Sequence, residues 1–101
     1  MKARDQVIEN DYKRKNYVWR PEFQPIIDWI NPNSKVLDAG CGVGVLGETL
    51  IKQKNCDVHG IELLQSVVDK AKKRGIKAKA GDLDLGLEYE DNSFDYVILC
   101  D

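Results

Sequence analysis

The stretch Val36-Leu37-Asp38-Ala39-Gly40-Cys41-Gly42-Val43-Gly44 constrains the fold of this chain more than any other. Val36 and Leu37 suit a strand buried on both faces of a parallel sheet. Asp38 marks the end of that strand, and three glycines follow at alternate positions. Glycine tolerates positive φ and puts no Cβ in the way of a ligand. Val45, Leu46, Thr49 and Leu50 continue as a helix, whose free N–H groups face the same spot. Strand, glycine turn and helix N-terminus together build a nucleotide-type site at the carboxyl edge of a sheet. By itself G-x-G-x-G also fits an empty turn between strand and helix.

The flanking pattern supports the site. Phe23, Ile26, Ile27 and Ile30 fall on one face of a short helix, with Pro25 in its first turn and Asn31 to Ser34 ending it. Val58 to Glu62 reads as a second strand and Ile76 to Ala80 as a third. Phe94 to Cys100 reads as a fourth, after the Asp91-Asn92-Ser93 turn. Between the second and third strands, Leu64, Val67, Val68 and Ala71 give a helix apolar on one face. Lys70, Lys72, Lys73 and Arg74 sit near its C-terminus, where the helix dipole favours cations, and Gly75 follows as C′. Alternation of strands and helices implies a parallel α/β sheet.

That topology brings Asp38, Glu62 and Asp82 to one edge. Glu62 stands 22 residues after Gly40, about where a dinucleotide-type fold places an acid on ribose hydroxyls. A carboxylate accepts two hydrogen bonds from a vicinal diol; the competing reading is an exposed acid capping the next helix. His59, the single histidine, reads as structural.

With 101 residues the chain is one domain at most, and a net charge of -2 gives no sign of a nucleic-acid partner. No apolar run spans a bilayer and no signal-peptide pattern appears, so a cytoplasmic location and no membrane partner are expected. Cys41, Cys56 and Cys100 lack metal-ligand spacing and read as reduced, buried thiols, with no metal site expected. Residues 1–20 form a separate polar N-terminal helical or lid segment before a domain at 21–101. Lys13-Arg14-Lys15 there reads as a solvated helix face, and Tyr17 and Trp19 either fold over the glycine turn or pack on the sheet edge.

Asp38 to Gly44 resembles the first motif of class I S-adenosylmethionine-dependent methyltransferases, Gly60-Ile61-Glu62 their second and Gly81-Asp82-Leu83 their third. Gly81-Asp82-Leu83-Asp84, Gly86-Leu87 and Asp91 through Leu99 resemble the signature of the methionine-biosynthesis MetW family. Arg20-Pro21-Glu22-Phe23 through Trp29-Ile30 is similar to that family's first helix. The resemblance implies a Rossmann-like class I methyltransferase fold, a parallel sheet with flanking helices, here truncated after the fourth strand of seven. It implies S-adenosyl-L-methionine as cofactor. Gly40, Cys41, Gly42 and Gly44 would bring backbone to its amino-acid part, and Asp38 would orient that loop and meet the methionine end, directly or through water. Glu62 would hold the ribose, with Leu63 against the adenine; Asp82 would accept the adenine amino group and Leu83 would donate its backbone N–H. Val43 stands where an acid is common, and Leu64-Gln65 replaces a better helix cap.

Catalysis in this family is mainly positioning of a nucleophile against an activated methyl group. No general base stands out, and Asp101 is a candidate by position only. The expected function is methyl transfer, or the cofactor-binding portion of it, with the fragment alone inactive. The alternative is a non-catalytic partner that binds a homoserine O-acyltransferase in methionine biosynthesis. A nicotinamide-binding domain is disfavoured by the glycine spacing and by Asp82. Tyr96 to Leu99, as an edge strand, is expected to bind a protein partner or to self-associate.

Overall fold

A computed structural model describes residues 19–82 and 93–99. The expected N-terminal segment, except Trp19 and Arg20, therefore lies outside the described residues, as do Leu83, Asp84, Gly86, Leu87, Asp91, Asn92, Cys100 and Asp101.

The elements run α1 (Phe23–Trp29), β1 (Lys35–Ala39), α2 (Val45–Lys54), β2 (Asp57–Glu62), α3 (Gln65–Lys73), β3 (Lys77–Ala80) and β4 (Tyr96–Leu99). The four strands are parallel, in the order β3-β2-β1-β4. β1 is central and is buried at every position after Lys35, as its run of apolar residues requires. Val36 stands opposite Val58 of β2 and Tyr96 of β4. The core gathers Phe23 and Ile27 of α1, Leu46 and Leu50 of α2, Val68 and Ala71 of α3, and Val58, Ala78 and Ile98 of the sheet. The α/β class and the parallel sheet match the sequence expectation.

Several boundaries differ from expectation, each for a physical reason. Ile76 precedes β3 rather than opening it. Its N–H donates to Ala71 O at 3.2 Å, and its buried side chain lies where Cβ atoms on Gly44 and Gly47 would stand, 2.3 and 2.8 Å from the nearest of its atoms. β2 begins one residue early because the Asp57 N–H reaches Ser34 O at 2.9 Å. β4 begins at Tyr96 rather than Phe94. Asp95 is tied to Lys35 in both directions, its N–H to Lys35 O and the Lys35 N–H to its Oδ2, both 2.8 Å. The Phe94 ring turns edge-on to His59, 5.2 Å between centroids.

The helix ends follow their residues. α2 stops at Asn55, in the left-handed region at φ 53°, and Gly75 at φ 96° ends α3. α3 starts from Leu64 with no side-chain cap, as its sequence foretells. Its cations Lys70, Lys72 and Lys73 occupy the last turn. His59 meets Asp57 Oδ2 at 3.3 Å, and Lys77 meets Asp57 Oδ1 at 3.0 Å. This surface cluster, led by Lys77, holds the Asp57 carboxyl below its ordinary range. Among the described residues no helix is long and apolar enough to cross a membrane, and no three metal-ligating side chains gather.

Candidate functional site

The chain leaves β1 through Gly40, Gly42 and Gly44, all at positive φ: 81°, 58° and 92°. A left-handed backbone at three alternate positions is what makes glycine necessary here. The turn is stitched to the end of β2, since the Gly40 and Cys41 N–H groups both donate to Ile61 O, at 2.9 and 3.2 Å. The next residue of β2, Glu62, continues the stitching with its side chain. Its Oε1 accepts the Gly42 N–H at 2.5 Å and its Oε2 the Leu63 N–H at 3.3 Å. With 2% of its surface exposed, Glu62 is not a solvent-facing helix cap. A carboxylate offers about four acceptor positions, so two backbone donors leave capacity for a pair of hydroxyls.

Asp38 is also buried, 3% exposed. It lines a small cleft with Arg20, Phe23, Gly40, Cys41, Val45 and Leu46. Burial, and then the neighbouring Glu62, push its carboxyl up to about 7. The same causes, burial first, then Asp38 and Glu62, push the Cys41 thiol far up, so Cys41 is an inert wall rather than a nucleophile. Its sulfur explains Gly60, the β2 partner of Asp38. A Cβ on Gly60 would stand 2.5 Å from Cys41 Sγ, so only glycine lets the turn fold down onto β2. Cys41 and Cys56 are both reduced and buried.

The third acid of the sequence reading lies further along the same edge. Glu62 pairs with Ala80, and the Gly81 N–H donates to Glu62 O at 2.9 Å, so exposed Asp82 follows just beyond the end of β3. Leu63, half-exposed, stands beside Glu62. The structure thus gathers Asp38, Gly40, Cys41, Gly42, Gly44, Glu62, Leu63 and Asp82 along one edge of the sheet.

Four residues of the cleft, Arg20, Phe23, Val45 and Leu46, were not singled out as site residues from sequence. Arg20 and Phe23 stand at the start of α1, and the Arg20 Nε lies 3.0 Å from Glu22 Oε1. Their place follows from topology. A helix joined by a short turn to the strand after it runs back along that strand, so its N-terminus meets the strand's carboxyl end. Trp19 packs edge-on against Phe23, 5.4 Å between centroids.

The family model described as "Methionine biosynthesis protein MetW" matches residues 20–101. No curated protein sequence matches significantly. Among solved structures, a TehB-like SAM-dependent methyltransferase from Corynebacterium glutamicum is 27% identical with a TM-score of 0.73; the match covers 91% of this chain and 54% of that one. A SAM-dependent methyltransferase from Thiobacillus denitrificans, in complex with S-adenosyl-L-homocysteine, is 22% identical with a TM-score of 0.70, covering 89% and 41%. Phosphoethanolamine N-methyltransferase 2 from Haemonchus contortus, in complex with S-adenosyl-L-methionine, is 23% identical with a TM-score of 0.63, covering 75% and 19%. The last two likenesses are of fold alone. The chain spans about half the length, or less, of these structures. Its four strands and their helices form part of the Rossmann-like methyltransferase fold.

Proposed function

From the premise that this chain belongs to the methionine biosynthesis protein MetW family, we propose that residues 21–101 form the S-adenosylmethionine-binding portion of a methyltransferase, with residues 1–20 as a leading segment. One observation carries the reading. The order β3-β2-β1-β4 reverses at β1, and the glycine turn with its two buried acids stands at the carboxyl end of that strand. Open α/β sheets bind ligands at such switch points.

The residues fit the cofactor. A Cβ on Gly40 would meet nothing within 4 Å, so the turn leaves room where the ligand's amino-acid part belongs. Glu62 keeps acceptor capacity for the ribose diol, and exposed Leu63 offers apolar surface for the adenine. Asp82, at the end of β3, and Leu83 would meet the purine edge. Asp38 and the backbone from Gly40 to Gly44 would face the amino-acid end. Bound there, the cofactor supplies a methyl group already activated on a sulfonium, so the protein's share is binding and orientation. Thermal shift with S-adenosylmethionine, S-adenosylhomocysteine and NAD tests the assignment. The first two raise the melting temperature and NAD does not; stabilisation by NAD alone contradicts it.

A second reading, a partner protein that binds an acyltransferase of methionine biosynthesis, is favoured by a different surface. Trp29, Val97 and Leu99 are 73%, 54% and 76% exposed. They border an apolar cleft of about 270 Å³ between α1 and β4, completed by Ile26, Ile30, Tyr96 and Ile98. Such a patch suits a protein contact, and it is distinct from the glycine turn, so binding of cofactor and of partner are compatible.

A further inference from the structure

Asp38 and Glu62 are both almost wholly buried on adjacent strands, and among the described residues neither forms an ion pair with a basic side chain. They differ in how they are satisfied. Glu62 accepts two backbone N–H groups. Asp38 accepts no hydrogen bond from the described residues, yet it lines the cleft beside the open face of Gly40. An acid buried at the wall of a cleft, with no hydrogen-bond donor on it, is favoured in its neutral form. From this geometry we propose that Asp38 holds a proton in the empty site and gives it up when a cationic group of the ligand takes the cleft. The inference rests on the cofactor reading above and adds proton linkage to it.

The groups around Asp38 act mostly against its charge. On β2, Glu62 disfavours its charge. In the glycine turn, Cys41 stays a neutral thiol. Just before α1, the Arg20 guanidinium lines the same cleft and favours the charged acid, its Nε 3.0 Å from Glu22 Oε1; burial and Glu62 still leave the Asp38 carboxyl raised to about 7. On β4, Ile98 pairs with Asp38 and is apolar. A single positive charge arriving in this cleft favours the ionised acid, and the displaced proton passes to solvent.

The cation has two sources in the cofactor, its ammonium and its sulfonium, and three probes separate them. S-adenosylmethionine carries both, S-adenosylhomocysteine only the ammonium, and 5′-methylthioadenosine neither. Calorimetric titration of the 101-residue chain in buffers of different ionisation enthalpy counts the protons released. We expect about half a proton released per bound cationic ligand at pH 7, and affinity about tenfold weaker at pH 6 than at pH 8. Release with both charged probes assigns the ammonium; release with S-adenosylmethionine alone assigns the sulfonium. In Asp38→Asn, both the release and the pH dependence attributable to the protein disappear. Carbon-detected NMR of the Asp38 carboxyl gives a second readout, its midpoint falling when a cationic probe is bound. Tight binding with no proton release, or a midpoint unmoved by ligand, overturns the inference while leaving the cofactor reading intact. If no adenosyl compound binds at any pH, both are overturned.

Discussion

The acids and glycines of the turn carry different burdens, and single substitutions separate them. Burial, and then Glu62, push the Asp38 carboxyl of the folded chain from its ordinary 3.8 up to about 7. Between those values the native state holds a proton that the unfolded chain has lost, so stability falls as pH rises through this window. The expected effect is on the order of a few kcal/mol between pH 4 and pH 7, read by urea unfolding at several pH values. Asp38→Asn flattens that slope; an equal slope in the variant places the linkage elsewhere. Gly40 and Gly44 give a second contrast. Alanine at Gly40 meets open space and costs about 1 kcal/mol for its left-handed backbone. At Gly44 the new Cβ stands 2.3 Å from Ile76 Cδ1, adding overpacking of about 1–3 kcal/mol. Urea unfolding should therefore rank Gly44→Ala as the less stable, while a titration with S-adenosylhomocysteine should show Gly40→Ala binding more weakly than its stability loss explains. Equal stability losses would contradict the packing described for Gly44. Residue types at this scale were legible in sequence: alternate glycines announced positive φ, and acids at strand ends announced that Asp38, Glu62 and Asp82 share one edge of the sheet. That Glu62 also holds the Gly42 N–H was not legible, because it depends on how closely two strands and a turn approach in space.

At the scale of elements, hydrophobic periodicity located every described helix and strand, and the errors lay at their ends. Ile76 has the composition of a strand residue, but its burial beneath Gly44 and Gly47 keeps it out of β3. Phe94 likewise leaves β4 for the His59 ring. Both are tertiary contacts made across the fold, which local pattern does not encode. β4 shows an alternation that its unbroken apolar run does not announce: Ile98 is buried, and Val97 and Leu99 are exposed at the edge of the sheet. Because these two side chains are exposed, Val97→Thr with Leu99→Lys should leave folding nearly unchanged. The pair should shift the sedimentation distribution toward the monomer, or weaken binding to an acyltransferase partner, without altering affinity for S-adenosylhomocysteine. Unchanged association would mean that this edge is not the contact surface.

The described residues form a sheet built outward from one buried strand, with the glycine turn and the buried acids gathered where that strand ends. Alternating elements foretold the parallel sheet, and the motif resemblance foretold the family that the match over residues 20–101 establishes. The part of the cleft formed by Arg20 and Phe23 emerged only from topology, since nothing in a cation before a short helix marks it as a neighbour of β1. The account stands on Glu62 as the acid that ties the turn to β2 and still receives a ribose. Titration calorimetry with S-adenosylhomocysteine, on the parent chain and on Glu62→Gln, tests that most directly. Glutamine keeps an acceptor for the Gly42 N–H but loses the charge-assisted bonds, worth about 1.5–3 kcal/mol. The account predicts a folded variant that binds about ten- to a hundredfold more weakly than the parent. Equal affinity in parent and variant, or no binding by a folded parent, would contradict it.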